Sequence, residues 1–172
     1  FIGGHPMAGS ELSGYANSSA DILKDSKYVI TPTADTSSES LESYVQLIKD
    51  MKAVPVIMDY KEHDYTVAAI SHVPHLIAAG LTRTVKTNDD DEKHMHLLAA
   101  GGFRDTTRIA ASSPEMWSQI CNSNKDSICI FLDKFIEEMH NIRDNISNDT
   151  PEETSEFIEN LFKEAGGYRK SF

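Results

Sequence analysis

The sequence predicts a small α/β piece followed by an all-helical piece. Two short runs, "KYVITPT" (27–33) and "AVPVIMD" (53–59), are rich in β-branched residues and flank a segment of helical periodicity. Strand, helix, strand with short connections is the grammar of an α/β layer. After residue 65 no strand pattern returns, and the apolar residues recur at helical intervals. At 172 residues the chain is long enough for one ordinary domain or two small pieces.

Each element has a local reason. "FIGGHPMAGSE" opens as if inside a strand, which reads as ending at a Gly3–Gly4 turn before His5 and Pro6. Thr36 and Glu39 have capping-box spacing, and Leu41, Tyr44, Val45, Ile48 and Met51 then repeat along a helix. "YTVAAISHVPHLIAAGLTRTV" (65–85) is apolar on nearly every face, the pattern of a helix buried all round, with a kink expected at Pro74. Residues 88–96 read as a solvated turn. "SSPEMWSQIC" (112–121) restarts a helix with serine as cap and proline at its first position. Ile128, Leu132, Phe135, Met139, Ile142 and Ile146 then alternate spacings of four and three, the repeat of a helix–helix seam. "TPEE" (150–153) has capping-box spacing and launches a last helix through Phe157, Ile158, Leu161, Phe162 and Ala165.

Composition narrows the function classes. The net charge of −11 argues against nucleic acid and anionic membrane as partners. No apolar run approaches the roughly 18 residues of a membrane span. Cys121 and Cys129 fit no metal or redox spacing and read as thiols in a reducing cytoplasm.

A few residues could carry chemistry. His5, between glycines and a proline where a strand would end, can serve as general base or as a turn histidine with a structural hydrogen bond. His72 and His75 share a helix face, but nothing adjacent completes a metal site, so no metal is expected. One of the pair reads as structural and the other as facing a site. His94 and His96 read as surface. Arg104 and Arg108, two of only five arginines, flank Asp105 and form either an anion clamp or a salt-bridged helix start. Trp117 could wall a pocket or fill the core. No two glycines are separated by a single residue, so the chain carries no G-x-G-x-x-G dinucleotide fingerprint.

Taken together, "GGHPMAGSE" (3–11), "SHVPH" (71–75) and "GGFRDTTRIAASSPEMW" (101–117) resemble the prephenate dehydrogenase family of tyrosine biosynthesis, arogenate-using members included. The resemblance covers essentially the whole chain. It implies a C-terminal remnant of a Rossmann-type domain over residues 1–62 and a helical substrate and dimerisation domain over residues 63–172. On the order of 100 residues, with the main cofactor site, would lie upstream. The implied reaction is oxidative decarboxylation of prephenate to 4-hydroxyphenylpyruvate with hydride transfer to NAD or NADP.

The resemblance also implies roles. His5 matches the catalytic histidine that takes the proton of the substrate's C4 hydroxyl. Arg108 matches the arginine holding a substrate carboxylate, and His75 and Trp117 match pocket residues. Glu11, Arg104 and Asp105 match an ionic group at the pocket mouth. His72 receives no role. Leu12 departs from the basic residue that many relatives carry after the glutamate. The implied partners are a small-molecule substrate, prephenate or arogenate, and a second copy of the chain, in the cytoplasm. The alternative expectation is a catalytically inert helical dimerisation or binding module, since this chain lacks the cofactor loop.

Overall fold

The computed structural model describes residues 1–9 and 14–172. Strands β1 (Gly3–Pro6), β2 (Lys27–Thr31) and β3 (Val54–Ile57) form one sheet in the order β1-β2-β3. β1 runs antiparallel to β2, and β2 runs parallel to β3. The parallel pair is joined through helix α1 (Ser38–Asp50), as a crossover requires. β1 lies at the sheet edge, where Pro6 sacrifices no ladder hydrogen bond that a central strand would need.

One face of this sheet packs on α1. Ile30 and Ile48 are fully buried and sit with Ala53, and Leu41, Tyr44, Val45 and Met51 close around them. Every apolar position of the α1 repeat therefore points inward. Burying each isoleucine side chain contributes about 1.5–3 kcal/mol. α1 begins one residue later than the sequence suggests. The Ser37 hydroxyl accepts the Ser40 N–H, while the Thr36 hydroxyl accepts the Thr33 N–H and closes the preceding turn.

Gly3 and Gly4 also differ from expectation, since both lie within β1 and not in a turn. Close packing explains the pair. A Cβ on Gly4 would run into the Tyr44 hydroxyl and the Tyr28 ring, and one on Gly3 would meet the Thr31 hydroxyl. The Tyr28 and Tyr44 hydroxyls are 3.1 Å apart. That hydrogen bond, with partial burial, pushes the Tyr44 phenol up to about 12.

Beyond β3, one continuous helical rod runs through α2 (Tyr60–Val67), a π-helical turn (Ala68–His72) and α3 (Val73–Asn88). Asp59 caps it by accepting the Lys61 N–H at 2.8 Å. The disturbance expected from Pro74 coincides with the π turn just before it. Proline clashes with the carbonyl four residues back, here Ile70, and supplies no N–H. Nor is the rod buried all round. Val67, Ala68, Val73 and Ala78 line the buried side, whereas Ile70 is 63% exposed.

Short helices α4 (His94–Leu98) and α5 (Gly101–Thr107) follow, then a 3₁₀ turn (Arg108–Ala111) and α6 (Pro114–Ser123). α5 and the 3₁₀ turn pack on α3. Ser113 caps α6 by accepting the Met116 N–H, with Pro114 at the first position. The last helices are α7 (Lys125–Ile146) and α8 (Pro151–Arg169). Thr150 makes no side-chain cap on α8. The joint is held instead by the Thr154 hydroxyl donating to the Asn145 carbonyl at 3.0 Å and by Asn148 donating to Glu153. Ala165, placed on the apolar face by its spacing, is exposed. The chain divides into two compact units, Phe1–Ile128 and Cys129–Phe172. No helix among the described residues is long and apolar enough to cross a membrane.

The two kinds of glycine make opposite predictions for urea unfolding of the chain. Gly4→Ala should lower stability by about 1–3 kcal/mol, because the tyrosine pair must move. Gly80→Ala, in α3 with nothing near its would-be Cβ, should raise it by roughly 0.5–1 kcal/mol.

Candidate active site

The pairing of β1 with β2 decides where His5 points. His5 is directly opposite Val29, so the two side chains share a sheet face, the one away from α1. α2 packs on β2. From α2, His63 reaches His5, with Nε2 2.8 Å from His5 Nδ1. The two rings meet edge to face at 5.1 Å between centroids. The other nitrogen of His63, Nδ1, is 2.9 Å from Asp64 Oδ1.

The π turn brings in the next histidine. Nine residues along a regular helix are about two and a half turns, which would set His63 and His72 on opposite sides. The wider turn at Ala68–His72 takes up part of that rotation. Asn124, at the end of α6, then joins the two. Its amide nitrogen donates to the Asp64 carbonyl at 2.7 Å and lies 3.3 Å from His72 Nδ1. The carbonyl can only accept, so the amide is fixed nitrogen-inward, and His72 Nδ1 must accept from it. Neutral His72 consequently carries its proton on Nε2.

His75, one turn into α3, holds its Nδ1–H on the Ser71 carbonyl at 2.8 Å. Its ring lies over Trp117 at 4.2 Å and 30°, and His72 meets the same indole edge-on at 6.0 Å. The Trp117 Nε1–H is buried without a hydrogen-bond partner. Electrostatics within the cluster favour neutral rings. Burial, then the nearby His63, hold His5 below the usual imidazole value. Burial also lowers His72, followed by His5, His63 and His75, against a smaller opposing pull from Asp64.

The structure thus gathers His5, His75 and Trp117 with His72, for which the family resemblance implies no role. It adds three residues that sequence reasoning passed over: His63, Asp64 and Asn124. The adjacent His-Asp at the head of a helix was the available signal. Arg108 opens the 3₁₀ turn that packs on α3, and it is exposed, as are Arg104 and Asp105 on α5. Glu11 and Leu12 lie outside the described residues. Among the described residues, no three His, Cys, Asp or Glu side chains converge to hold a metal ion.

Fold and geometry together define an α/β layer continued by helices, with a histidine cluster in its first compact unit. Residues 1–57 match the family described as "Prephenate dehydrogenase, nucleotide-binding domain", and residues 59–163 match "Prephenate dehydrogenase, dimerization domain". The chain belongs to the prephenate dehydrogenase family. It is 39% identical over 169 residues to prephenate dehydrogenase of Bacillus subtilis, covering 98% of this chain and 44% of that protein. The chain therefore spans under half the length of that relative. Among solved structures, prephenate dehydrogenase from Aquifex aeolicus in complex with hydroxyphenyl propionate and NAD+ superposes with a TM-score of 0.89 at 30% identity. That match covers 98% of this chain and 59% of the other. Synechocystis arogenate dehydrogenase matches with a TM-score of 0.84 at 27% identity, over 98% and 61% of the two chains.

The lowered histidines fix a sign for pH dependence. Between the folded values of His5 and His72 and the usual 6.5, the unfolded chain binds more protons than the folded one. Their contribution to stability is therefore fully present above 6.5 and should be lost as pH falls through the folded values. Urea unfolding at a series of pH values checks this. His5→Asn combined with His72→Asn should flatten the slope.

Proposed function

We propose that this chain carries the proton-transfer and substrate-holding residues of a prephenate dehydrogenase, an enzyme that oxidatively decarboxylates prephenate to 4-hydroxyphenylpyruvate. The single observation that carries this reading is His5. It stands on the sheet face beneath α2, is held below the usual imidazole value by burial and by His63, and shares His72 as neighbour with His75 and Trp117. An imidazole so poised can accept a hydroxyl proton near neutral pH, an effect typically worth about 10²–10⁴-fold. His5 takes the proton of the substrate's C4 hydroxyl. Arg108 holds a carboxylate, His75 and Trp117 line the pocket, and Arg104 and Asp105 belong to an ionic group at its mouth. Loss of carbon dioxide then leaves an aromatic ring. Arogenate is the alternative substrate.

The whole enzyme would use NAD or NADP as hydride acceptor, but the residues described do not fit its pyrophosphate. The helix that follows a strand by the parallel crossover, α1, has its N-terminus closed by the Ser37 hydroxyl, and no glycine opens that turn. This chain's share of the reaction is proton transfer and substrate binding. By itself it is inert as a dehydrogenase. We divide it functionally into residues 1–62, part of the nucleotide-binding domain, and residues 63–172, the helical domain. The compartment proposed for it is the cytoplasm.

The partner is a second copy of the chain. Along the α7 repeat, Met139 and Ile146 stay 39% and 55% exposed, and Phe162 on α8 is 72% exposed. A row of apolar side chains at coiled-coil spacing is a face that a second helix covers.

Four measurements check these points. In the enzyme assembled with a nucleotide-binding loop, His5→Asn should lower kcat at least 10²-fold. Arg108→Ala should act mainly on the KM for prephenate. Full turnover by the His5 variant would overturn the mechanism, and cofactor reduction by the 172-residue chain alone would overturn its inertness. Sedimentation equilibrium at micromolar concentration should return a dimer, and a monomer would sink the proposed pairing.

A further inference from the structure

We infer that Asp64, acting through His63, fixes the tautomer of His5 so that its Nε2 is the bare, proton-accepting nitrogen. The inference deepens the proposed function and takes its chemistry from it. The atoms lie in a row: Asp64 Oδ1 to His63 Nδ1 at 2.9 Å, then His63 Nε2 to His5 Nδ1 at 2.8 Å. A carboxylate oxygen has no proton to give, so the first link requires the proton on His63 Nδ1. A neutral imidazole carries only one, which leaves His63 Nε2 as an acceptor. His5 Nδ1 must then be the donor, and His5 Nε2 is left unprotonated. The reverse arrangement would set a bare His63 Nδ1 against a bare carboxylate oxygen.

Position supports the assignment. His63 is largely buried, with its side chain 16% exposed, so water competes weakly for its nitrogens. Asp64 is further oriented from its backbone side, where its carbonyl receives the Asn124 amide. When His5 Nε2 takes a hydroxyl proton, His5 becomes a cation that still donates from Nδ1 to His63, and the carboxylate lies at the far end of the same row. No other group need move. Asp64 and His63 are thus positioning residues, and His5 is the one that meets substrate. The remaining titratable groups of the cluster, His72 on the π turn and His75 on α3, have their Nδ1 atoms held by Asn124 and the Ser71 carbonyl.

Imidazole nitrogen spectra of the ¹⁵N-histidine-labelled chain, recorded at mildly alkaline pH, test this directly. The wild type should show His5 protonated at Nδ1. In Asp64→Asn the new amide can donate to His63 Nδ1, which moves the His63 proton to Nε2 and turns His5 over to the Nε2–H form. His63→Leu, which removes the acceptor, should leave a mixture. An Nε2–H form of His5 in the wild type, or an unchanged His5 in Asp64→Asn, would overturn the inference. In the assembled enzyme, Asp64→Asn should lower kcat roughly 10- to 100-fold, within what a positioned base supplies, with KM for prephenate unchanged. Full kcat in that variant would also overturn it. Absence of turnover in the wild-type enzyme, with the expected tautomer present, would instead remove the proposed reaction and leave the tautomer assignment standing.

Discussion

The pairing of His5 with Val29 is the constraint on which the rest of the site depends. Side chains opposite each other on neighbouring strands share a face, and alternate residues along a strand point opposite ways. From that one register it follows that Gly4 and Ile30 look toward α1, while His5 and Val29 look toward α2. The first face holds the core of Ile30, Ile48 and Ala53. The second holds the histidine cluster. β1 is thus shared between two tasks, and its glycines let it lie close enough to α1 and β2 to serve both.

A second constraint acts along the helical rod. The π turn changes which residues face the sheet without breaking the rod, so His63 from α2 and His72 from the turn belong to one cluster. Three imidazoles so close could not all be charged. Burial and mutual repulsion hold His5 and His72 below their ordinary value, while Asp64 alone pulls His72 the other way. Asn124 closes the arrangement from α6, spending one amide on two acceptors.

Much of this architecture was legible in the residues. The β-branched runs became β2 and β3, and every apolar position of the α1 repeat reached the core, because local periodicity and burial there agree. What failed to show was set by packing between distant segments. Gly3 and Gly4 suggested a turn, yet a strand needs glycines just as much when a tyrosine hydroxyl stands where a Cβ would be. Thr36 and Ser37 are both competent caps, and the neighbouring Thr33 turn decides between them. His63 and Asp64 went unnoticed because their contact with His5 depends on sheet register, across 58 residues of chain. The place of His72 depends on a helical irregularity that no periodicity count contains.

The side-chain alternation of β1 makes its chemistry a matter of parity. A slip of one residue against β2 would keep most of the ladder hydrogen bonds but send the imidazole into the hydrocarbon under α1, and would bring glycine to the face beneath α2. A slip of two would restore the facing but displace the ring along the strand by roughly 7 Å, beyond the reach of His63. No graded misplacement lies between these. The strand either sets its imidazole against His63 or loses that contact altogether. Length changes in the connection between β1 and β2 are therefore tolerated to the extent that they leave this count of residues intact.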